Sequence, residues 1–289
     1  MKIAALCVLA LAGSAFAQTI DGSRDASYTS LFNQNTQTGF GDNFSELDNF
    51  SWSSDGTNLY LFAGGNIEAN GNRMVFFFST SNAGQSTLSG LGGGDFDRMH
   101  VTFDSGFGGA SRWVSFNQAN VNQVYGNAGT FNGTSWSDEY VGNSTTGVMG
   151  FNPNGTSGIQ AILNNSNTAG VSGGSGAGDS GAAALVGTGL EMVIPLAWLG
   201  YTGGEIRIAG WVNGGDNSYA SNQFIGGFQG GQGNLGGDGN GNYTGSAAFD
   251  LNDFDGDQFV TIAPTPARRA CLVWALWPSA AVAADPFFV

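Results

Sequence analysis

Leu59-Tyr60-Leu61-Phe62 and Met74-Val75-Phe76-Phe77-Phe78 decide the fold class of this chain. Each is a short apolar run that contains aromatic residues and is bounded by Gly or Asn, which is the pattern of a β-strand. Asn70-Gly71 lies between the two runs, and Asn-Gly pairs favour the positive φ angles of tight hairpin turns. The region therefore predicts two strands joined by a turn.

Runs of the same kind continue along the chain. They are Met99–Phe103, Trp113–Phe116, Gly158–Leu163, Leu190–Ile194, Glu205–Val212 and Gln258–Ile262. No stretch keeps a helical period for more than a turn or two, and the best helical candidate is the single turn Pro195–Leu199. Gly170–Gly181 and Gly226–Gly241 are too rich in glycine for strands and predict long loops. The pattern predicts an all-β fold, a single β-sandwich of the jelly-roll type.

The N-terminus has the features of an export signal. Met1-Lys2 gives a charged start, residues 3–12 are apolar, and Ala15-Phe16-Ala17 matches a signal-peptidase site. Residues 1–17 are therefore interpreted as a signal peptide, and 18–262 as the secreted β-domain. A domain of this length can bury a core without disulfides.

The composition of this domain excludes several functions. Between residues 18 and 262 there are five Arg, no Lys and 21 acidic residues, so we expect it to repel nucleic acid and anionic lipid. The lack of lysine also excludes Schiff-base chemistry and a Walker-type phosphate loop. Both cysteines, Cys7 and Cys271, lie outside the domain, so no disulfide is expected within it.

Residues 263–289 form a tail of different composition. Ala263-Pro264-Thr265-Pro266-Ala267 precedes Arg268-Arg269 and an apolar run at 270–284, which Pro278 interrupts and which is too short to span a membrane. Read two bases out of frame, 272–285 can encode a Gly- and Leu-rich run that ends in an arginine cluster. A Pro-x-Pro hinge, such a run and a terminal arginine cluster resemble the sorting tails of PEP-CTERM proteins. The tail is therefore interpreted as a frameshifted sorting signal, and the alternative is an unrelated C-terminus.

Three segments carry a second resemblance. They are Ile20-Asp21-Gly22-Ser23-Arg24-Asp25-Ala26-Ser27-Tyr28, Asn58-Leu59-Tyr60-Leu61-Phe62, and Glu191-Met192-Val193-Ile194-Pro195-Leu196-Ala197-Trp198-Leu199-Gly200. In this order they resemble motifs of the DOMON superfamily, which includes family-nine carbohydrate-binding modules. The resemblance implies a β-sandwich over most of 18–262 and a sugar held between two Trp rings.

Trp113, Trp136 and Trp211 are the candidates for such sugar stacking. The partner would be an extracellular polysaccharide or another glycan. No motif sets any two of these rings opposite each other, and the alternative for each is packing in the core.

Asp253, Asp255 and Asp257 are candidate metal ligands. On an extended strand alternate residues share one face, so the three carboxylates predict a calcium site outside the EF-hand pattern. The alternative is a solvated acidic edge that discourages strand pairing between molecules. No other cofactor is expected.

The sequence offers little for catalysis. His100 is the only histidine, and no G-x-S-x-G motif is present to complete a serine triad. Asp138-Glu139 and the pair Asp95 and Asp97 are the acid pairs available for glycoside hydrolysis, although adjacent acids on a strand diverge. The sequence predicts an exported, non-catalytic cell-surface or extracellular-matrix protein with glycan binding. The alternative is a secreted glycan hydrolase on the same fold.

Overall fold

A computed structural model describes residues 18–92, 95–121, 123–144 and 156–265 of the chain. The predicted signal peptide at 1–17 and residues 266–289 of the predicted tail lie outside the described residues. The strands are β1 (Thr29–Asn33), β2 (Glu46–Ser54), β3 (Asn58–Asn66), β4 (Arg73–Ser79), β5 (Arg112–Asn120), β6 (Gln123–Phe131), β7 (Trp136–Ser144), β8 (Gln160–Leu163), β9 (Gly189–Pro195), β10 (Ile206–Asn213), β11 (Ala220–Phe224) and β12 (Val260–Ile262). One α-helix, α1 (Ser180–Ala184), and two 3₁₀ helices, Asp95–Arg98 and Leu251–Asp253, accompany them.

The strands form two sheets. The five-stranded sheet has the order β1-β2-β3-β9-β8, and the seven-stranded sheet has the order β11-β10-β4-β5-β6-β7, with β12 also paired to β10. All of these strand pairs are antiparallel. The sheets pack face to face, so the predicted all-β sandwich is confirmed.

The seven-stranded sheet is apolar on both faces. In β4, Phe76 and Phe78 face the other sheet and belong to an inner core with Phe50 and Leu61. Phe77, between them, faces the opposite way and belongs to an outer core. Successive side chains of a strand point to opposite faces, so this unbroken apolar run marks a strand buried on both sides.

Long loops cover the outer core. The loop from β4 to β5 contributes residues such as Leu88, Phe103 and Phe107, and the loop from β11 to β12 contributes Phe228 and Leu251. The predicted long loop Gly226–Gly241 belongs to the second of these and contains no helix or strand. The glycine-rich loops therefore form a third layer over the sandwich.

Two local predictions were wrong. Met99–Phe103 is not a strand but makes isolated bridges, Met99 to Ala247 and Thr102 to Asp250, because its apolar residues join the outer core from within a loop. Residues 196–200 form a turn, and the helix lies instead at α1, which begins within the predicted loop Gly170–Gly181. None of the described helices has the length and apolar character needed to cross a membrane.

Candidate functional site

One stretch of the outer face of the seven-stranded sheet is left uncovered by the loops that the structure describes. It lies on β5, β6 and β7, next to the buried Trp113. Its outward-facing residues form two rows that run across the three strands. The first row is Ser115, Asn127 and Tyr140, and the second contains Asn117 and Tyr125. The antiparallel register thus brings tyrosine and amide side chains from three strands onto one surface.

This surface is concave and forms what we term the sheet-face groove. Its volume is about 350 Å³, within the range of small-molecule sites. It is lined by Arg73, Phe96, Trp113, Asn117, Ala119, Tyr125, Asn127, Asp138 and Tyr140. Most of these side chains lie on β4, β5, β6 and β7, so the sheet itself positions them.

Two tyrosines stand at the open side of the groove. The ring centroids of Tyr125 and Tyr140 are 6.4 Å apart and the planes are tilted by 43°. Tyr140 is 43% exposed, whereas Tyr125 is half-buried. Partial burial and the neighbouring Tyr125 raise the pKa of Tyr140 above its ordinary value of 10. The Tyr140 hydroxyl is therefore neutral at physiological pH and can donate and accept hydrogen bonds.

Trp113 forms the buried end of the groove. Its ring stacks on Phe96 with centroids 4.2 Å apart, and its Nε1 lies over Gly129, where a Cβ would come within 2.1 Å of that nitrogen. Only glycine leaves room for the indole at this position of β6. Trp113 Nε1 is buried and has no hydrogen-bond partner among the described residues. A buried donor without an acceptor is costly, which favours a polar partner at this end.

The groove contains charges of both signs. The Arg73 guanidinium lies 5.4 Å from the centroid of Phe96 and hydrogen bonds the carbonyl oxygen of Gly215. Asp138 is exposed and is the one acidic residue in the described lining. Its neighbour Glu139 is turned away and accepts a hydrogen bond from the Ser157 amide at 3.0 Å. The predicted divergence of the Asp138-Glu139 pair is thus observed; the side chain of Asp95, from the other predicted pair, lies outside the described residues.

The prediction that Trp211 stacks on sugar is corrected. Trp211 is 1% exposed, and its ring lies between Phe77 and Phe224 at centroid distances of 5.0 and 4.9 Å. Both faces of the indole are covered, so Trp211 packs in the outer core. Trp113 is likewise 1% exposed, and it meets the groove without an exposed face on which a ring could stack.

Trp136 lies on β7, two residues before Asp138, but does not line the groove. Its ring packs against Phe131 at 5.2 Å, and its Nε1 donates a 2.8 Å hydrogen bond to Gln85 Oε1. The indole is half-buried against the outer core. No two of the rings of Trp113, Trp136 and Trp211 therefore face each other as a pair that could hold a sugar.

The acidic segment near the C-terminal strand does not adopt the predicted geometry. Asp253 ends a 3₁₀ helix, and Asp255 and Asp257 follow in a bent segment, so the three do not alternate along an extended strand. All three are exposed. Across residues 18–92, 95–121, 123–144 and 156–265, no group of three or more His, Cys, Asp or Glu side chains is arranged to hold a metal ion. The geometry does not support a calcium site built on these three residues.

A second cavity of about 530 Å³ lies among the loops. Its lining includes His100, Asp238, Asp250 and Asp253, with Phe249 and Phe254 behind them. Asp238 accepts hydrogen bonds from Asn240 and Asn242, and these bonds lower its pKa below the ordinary value. The cavity is acidic and its aromatic residues belong to the outer core, so it offers no exposed ring for stacking.

Sequence reasoning missed Asn117, Tyr125, Asn127 and Tyr140. No apolar run marks β6 or β7, because one face of each strand carries polar residues. The alternation of apolar and polar residues was the sequence signal that could have identified these two strands. Ala128 and Val141 face the inner core, whereas Tyr125, Asn127 and Tyr140 face outward.

Two of the segments that resemble DOMON motifs meet at one buried side chain. Glu191 Oε2 accepts hydrogen bonds from the Asp21 and Gly22 amides at 2.7 and 2.9 Å, and Tyr28 donates to Oε1 at 2.7 Å. The third segment, in β3, pairs directly with β9. No protein-family model, curated protein or solved structure matches this chain. The two family resemblances therefore remain predictions.

Proposed function

We propose that this chain is an exported, non-catalytic surface or matrix protein that binds an extracellular glycan in the sheet-face groove. The observation that carries the proposal is the strip of tyrosine and amide side chains on β5, β6 and β7, which no loop within the described residues covers. Elsewhere the outer face of the same sheet is buried under loops. The signal-like N-terminus and the acidic, lysine-free composition of 18–262 support export.

The chemistry of the groove suits a carbohydrate. Tyr125 and Tyr140 offer ring faces for the apolar C–H face of a sugar and hydroxyls for its oxygens. Asn117 and Asn127 each provide donors and acceptors, and Asp138 accepts hydrogen bonds from sugar hydroxyls. A neutral sugar matches this lining better than a strongly charged ligand, because the described lining contains one acid, Asp138, and one buried guanidinium, that of Arg73.

The geometry favours binding over hydrolysis. Glycoside hydrolysis uses two carboxyl groups, one of which has a raised pKa and acts as general acid. The described lining of the groove contains a single carboxyl group, that of Asp138. In the acidic cavity the pKa of Asp238 is lowered, which is opposite to the need of a general acid. The hydrolase alternative would require a second acid within reach of Asp138.

The proposal is tested by screening the full chain on a glycan array and measuring Kd for each hit by calorimetry. We expect at least one neutral glycan to bind, and we expect Tyr140→Ala and Asn127→Ala to weaken it. Loss of one ring contact or hydrogen bond costs about 1–1.5 kcal/mol, or roughly tenfold in Kd.

Tyr243→Ala is the matched control. Tyr243 is 67% exposed and lies outside the groove, so its removal should leave Kd unchanged. Binding that survives both groove substitutions would place the ligand elsewhere. Release of shorter sugars from a bound glycan would favour the hydrolase instead.

A further inference from the structure

Several turns of the fold contain asparagine followed by glycine. Within the described residues these pairs are Asn70-Gly71, Asn132-Gly133, Asn213-Gly214 and Asn240-Gly241. In such a pair the backbone nitrogen of the glycine can attack the side-chain carbonyl carbon of the asparagine, because glycine has no Cβ to hinder the approach. A base must first remove the proton from the glycine nitrogen, so that N–H has to be open to solvent. The fold therefore decides which pair can react.

Three of the four glycine nitrogens are held by backbone hydrogen bonds. The N–H groups of Gly71, Gly214 and Gly241 donate to the carbonyl oxygens of Gln118, Tyr219 and Leu235, at 2.8, 2.7 and 2.8 Å. Such a bond must open before the nitrogen can react, which lowers the rate roughly two- to tenfold, the equivalent of one net hydrogen bond. Asn213 is in addition fully buried, so its side chain is closed to water.

The fourth pair, Asn132-Gly133, is open. It lies at the tip of the hairpin between β6 and β7, and both residues are exposed. The Gly133 N–H donates to no acceptor in the part of the chain that the structure describes. Gly133 has φ of +97°, and a Cβ built on it would have no heavy atom within 4 Å. Solvent therefore reaches this nitrogen, and the surrounding space leaves room for a ring to close.

The hairpin also holds the Asn132 side chain in a suitable arrangement. Its Oδ1 atom accepts hydrogen bonds from the Thr134 and Ser135 amides, both at 2.9 Å. Attack on the side-chain carbon makes this oxygen negative, and N–H donors already aimed at it stabilise that charge. The Asn132 Nδ2 atom lies 3.2 Å from Ser135 Oγ. A hydroxyl that can donate a proton thus stands beside the nitrogen that has to leave.

We propose that Asn132-Gly133 is a deamidation site, at which the chain modifies itself with water as the only co-reactant. The Gly133 nitrogen forms a bond to Cγ of Asn132, and the Cγ–Nδ2 bond breaks. The proton lost by Gly133 is balanced by the one gained by Nδ2, which leaves as ammonia. Water then opens the resulting five-membered ring at either carbonyl carbon and gives aspartate or isoaspartate. This proposal does not rest on glycan binding.

The modification acts on the tip of the β6–β7 hairpin. The Asn132 N–H donates to the Ser135 carbonyl oxygen at 3.0 Å, next to the cross-strand pair of Phe131 and Trp136. Isoaspartate carries the main chain through the former side chain and so adds one carbon to the backbone of this tight turn. We therefore expect isoaspartate at position 132 to break the bond to Ser135 and to loosen the tip.

The test is incubation of the full chain at mildly alkaline pH, with peptide mapping by mass spectrometry at intervals. We expect Asn132 to react roughly two- to tenfold faster than Asn70 and Asn240, and Asn213 to react most slowly. Both aspartate and isoaspartate should form at position 132. The same chain unfolded in guanidinium chloride is the matched control. There the four pairs should react at similar rates, because no fold protects any glycine nitrogen.

Asn132→Asp separates the added charge from the added backbone carbon. It keeps a side-chain oxygen for the Thr134 and Ser135 amides, and its main chain has the normal length. We expect hydrogen exchange at the amide of residue 132 to stay slow in this variant and to become faster in the wild-type chain that contains isoaspartate.

Three results would overturn the proposal. The first is a folded chain in which Asn70 or Asn240 reacts as fast as Asn132. The second is a lead of Asn132 that persists unchanged in guanidinium chloride, which would assign it to the local sequence and not to the fold. The third is formation of aspartate without isoaspartate, because direct hydrolysis by water, and not attack by Gly133, gives that result.

Discussion

Glu191 illustrates how one buried acid links the N-terminal segment to the sheet. Burial raises the pKa of Glu191 above its ordinary value of 4.5, although Tyr28 and the Asp21 and Gly22 amides favour the charged form. The folded state therefore holds the proton more tightly than the unfolded state. This contribution to stability is complete below about pH 4.5 and is lost as pH rises through the folded pKa.

We therefore expect Glu191→Gln, which cannot ionise, to lessen the fall in unfolding free energy as pH rises above 4.5. Urea unfolding at a series of pH values measures this dependence. Glu205→Gln is the control at an exposed position and should keep the wild-type profile. An unchanged slope in Glu191→Gln would show that Glu191 does not contribute.

At the scale of elements, the short helix α1 depends on its cap. Asp179 accepts hydrogen bonds from the Gly181 and Ala182 amides at 2.9 and 3.2 Å. The helix covers β2, where Asn49 donates to the carbonyl oxygens of Ala183 and Val186. We expect Asp179→Ala to cost about 0.5–2 kcal/mol of unfolding free energy in urea, whereas Asp179→Asn retains the acceptor and most of the stability. Equal loss in both variants would argue against capping.

The elements also show how far sequence reasoning reached. Strands β3, β4 and β9 were predicted from the sequence. They lie in the middle of a sheet or are buried on both faces, so each contains a continuous run of apolar residues that can be recognised without the structure. β6 and β7 were missed because each has one polar face, and with them most of the candidate site was missed. α1 was missed because its glycine and alanine residues have no amphipathic pattern, so the Asp179 cap was the one local signal.

For the Trp residues the sequence could not distinguish core from site. Trp211 and Trp113 sit at alternate positions of strands whose outer face is covered by loops from elsewhere in the chain. That cover depends on contacts between residues far apart in sequence, which no local pattern encodes. The same limit applies to Glu46 and Asp48, which are buried against Gly170, a residue more than a hundred positions later in the chain.

At the scale of the whole molecule, β4 connects two cores. Phe76 lies in the inner core and Phe77 in the outer core, and both are fully buried. We expect Phe76→Ala and Phe77→Ala each to cost about 3–5 kcal/mol, with near- and far-ultraviolet circular dichroism reporting one shared transition. Phe44→Ala, at a 59% exposed position, should change stability by less than about 0.5 kcal/mol. Loss of only the near-ultraviolet signal in Phe77→Ala would show that the outer core unfolds separately.

The position of β4 also has a kinetic consequence. Its neighbours are β5 and β10, and β10 begins at Ile206, so the strand is enclosed only after most of the chain has been made. Until then an uncharged segment of high β-propensity, Met74-Val75-Phe76-Phe77-Phe78, has the edge that pairs with β10 open to other chains. Folding from such distant contacts is slow, and self-association rises with concentration. A strand that joins the two cores of the finished protein is therefore also an aggregation hazard before the sheet is complete.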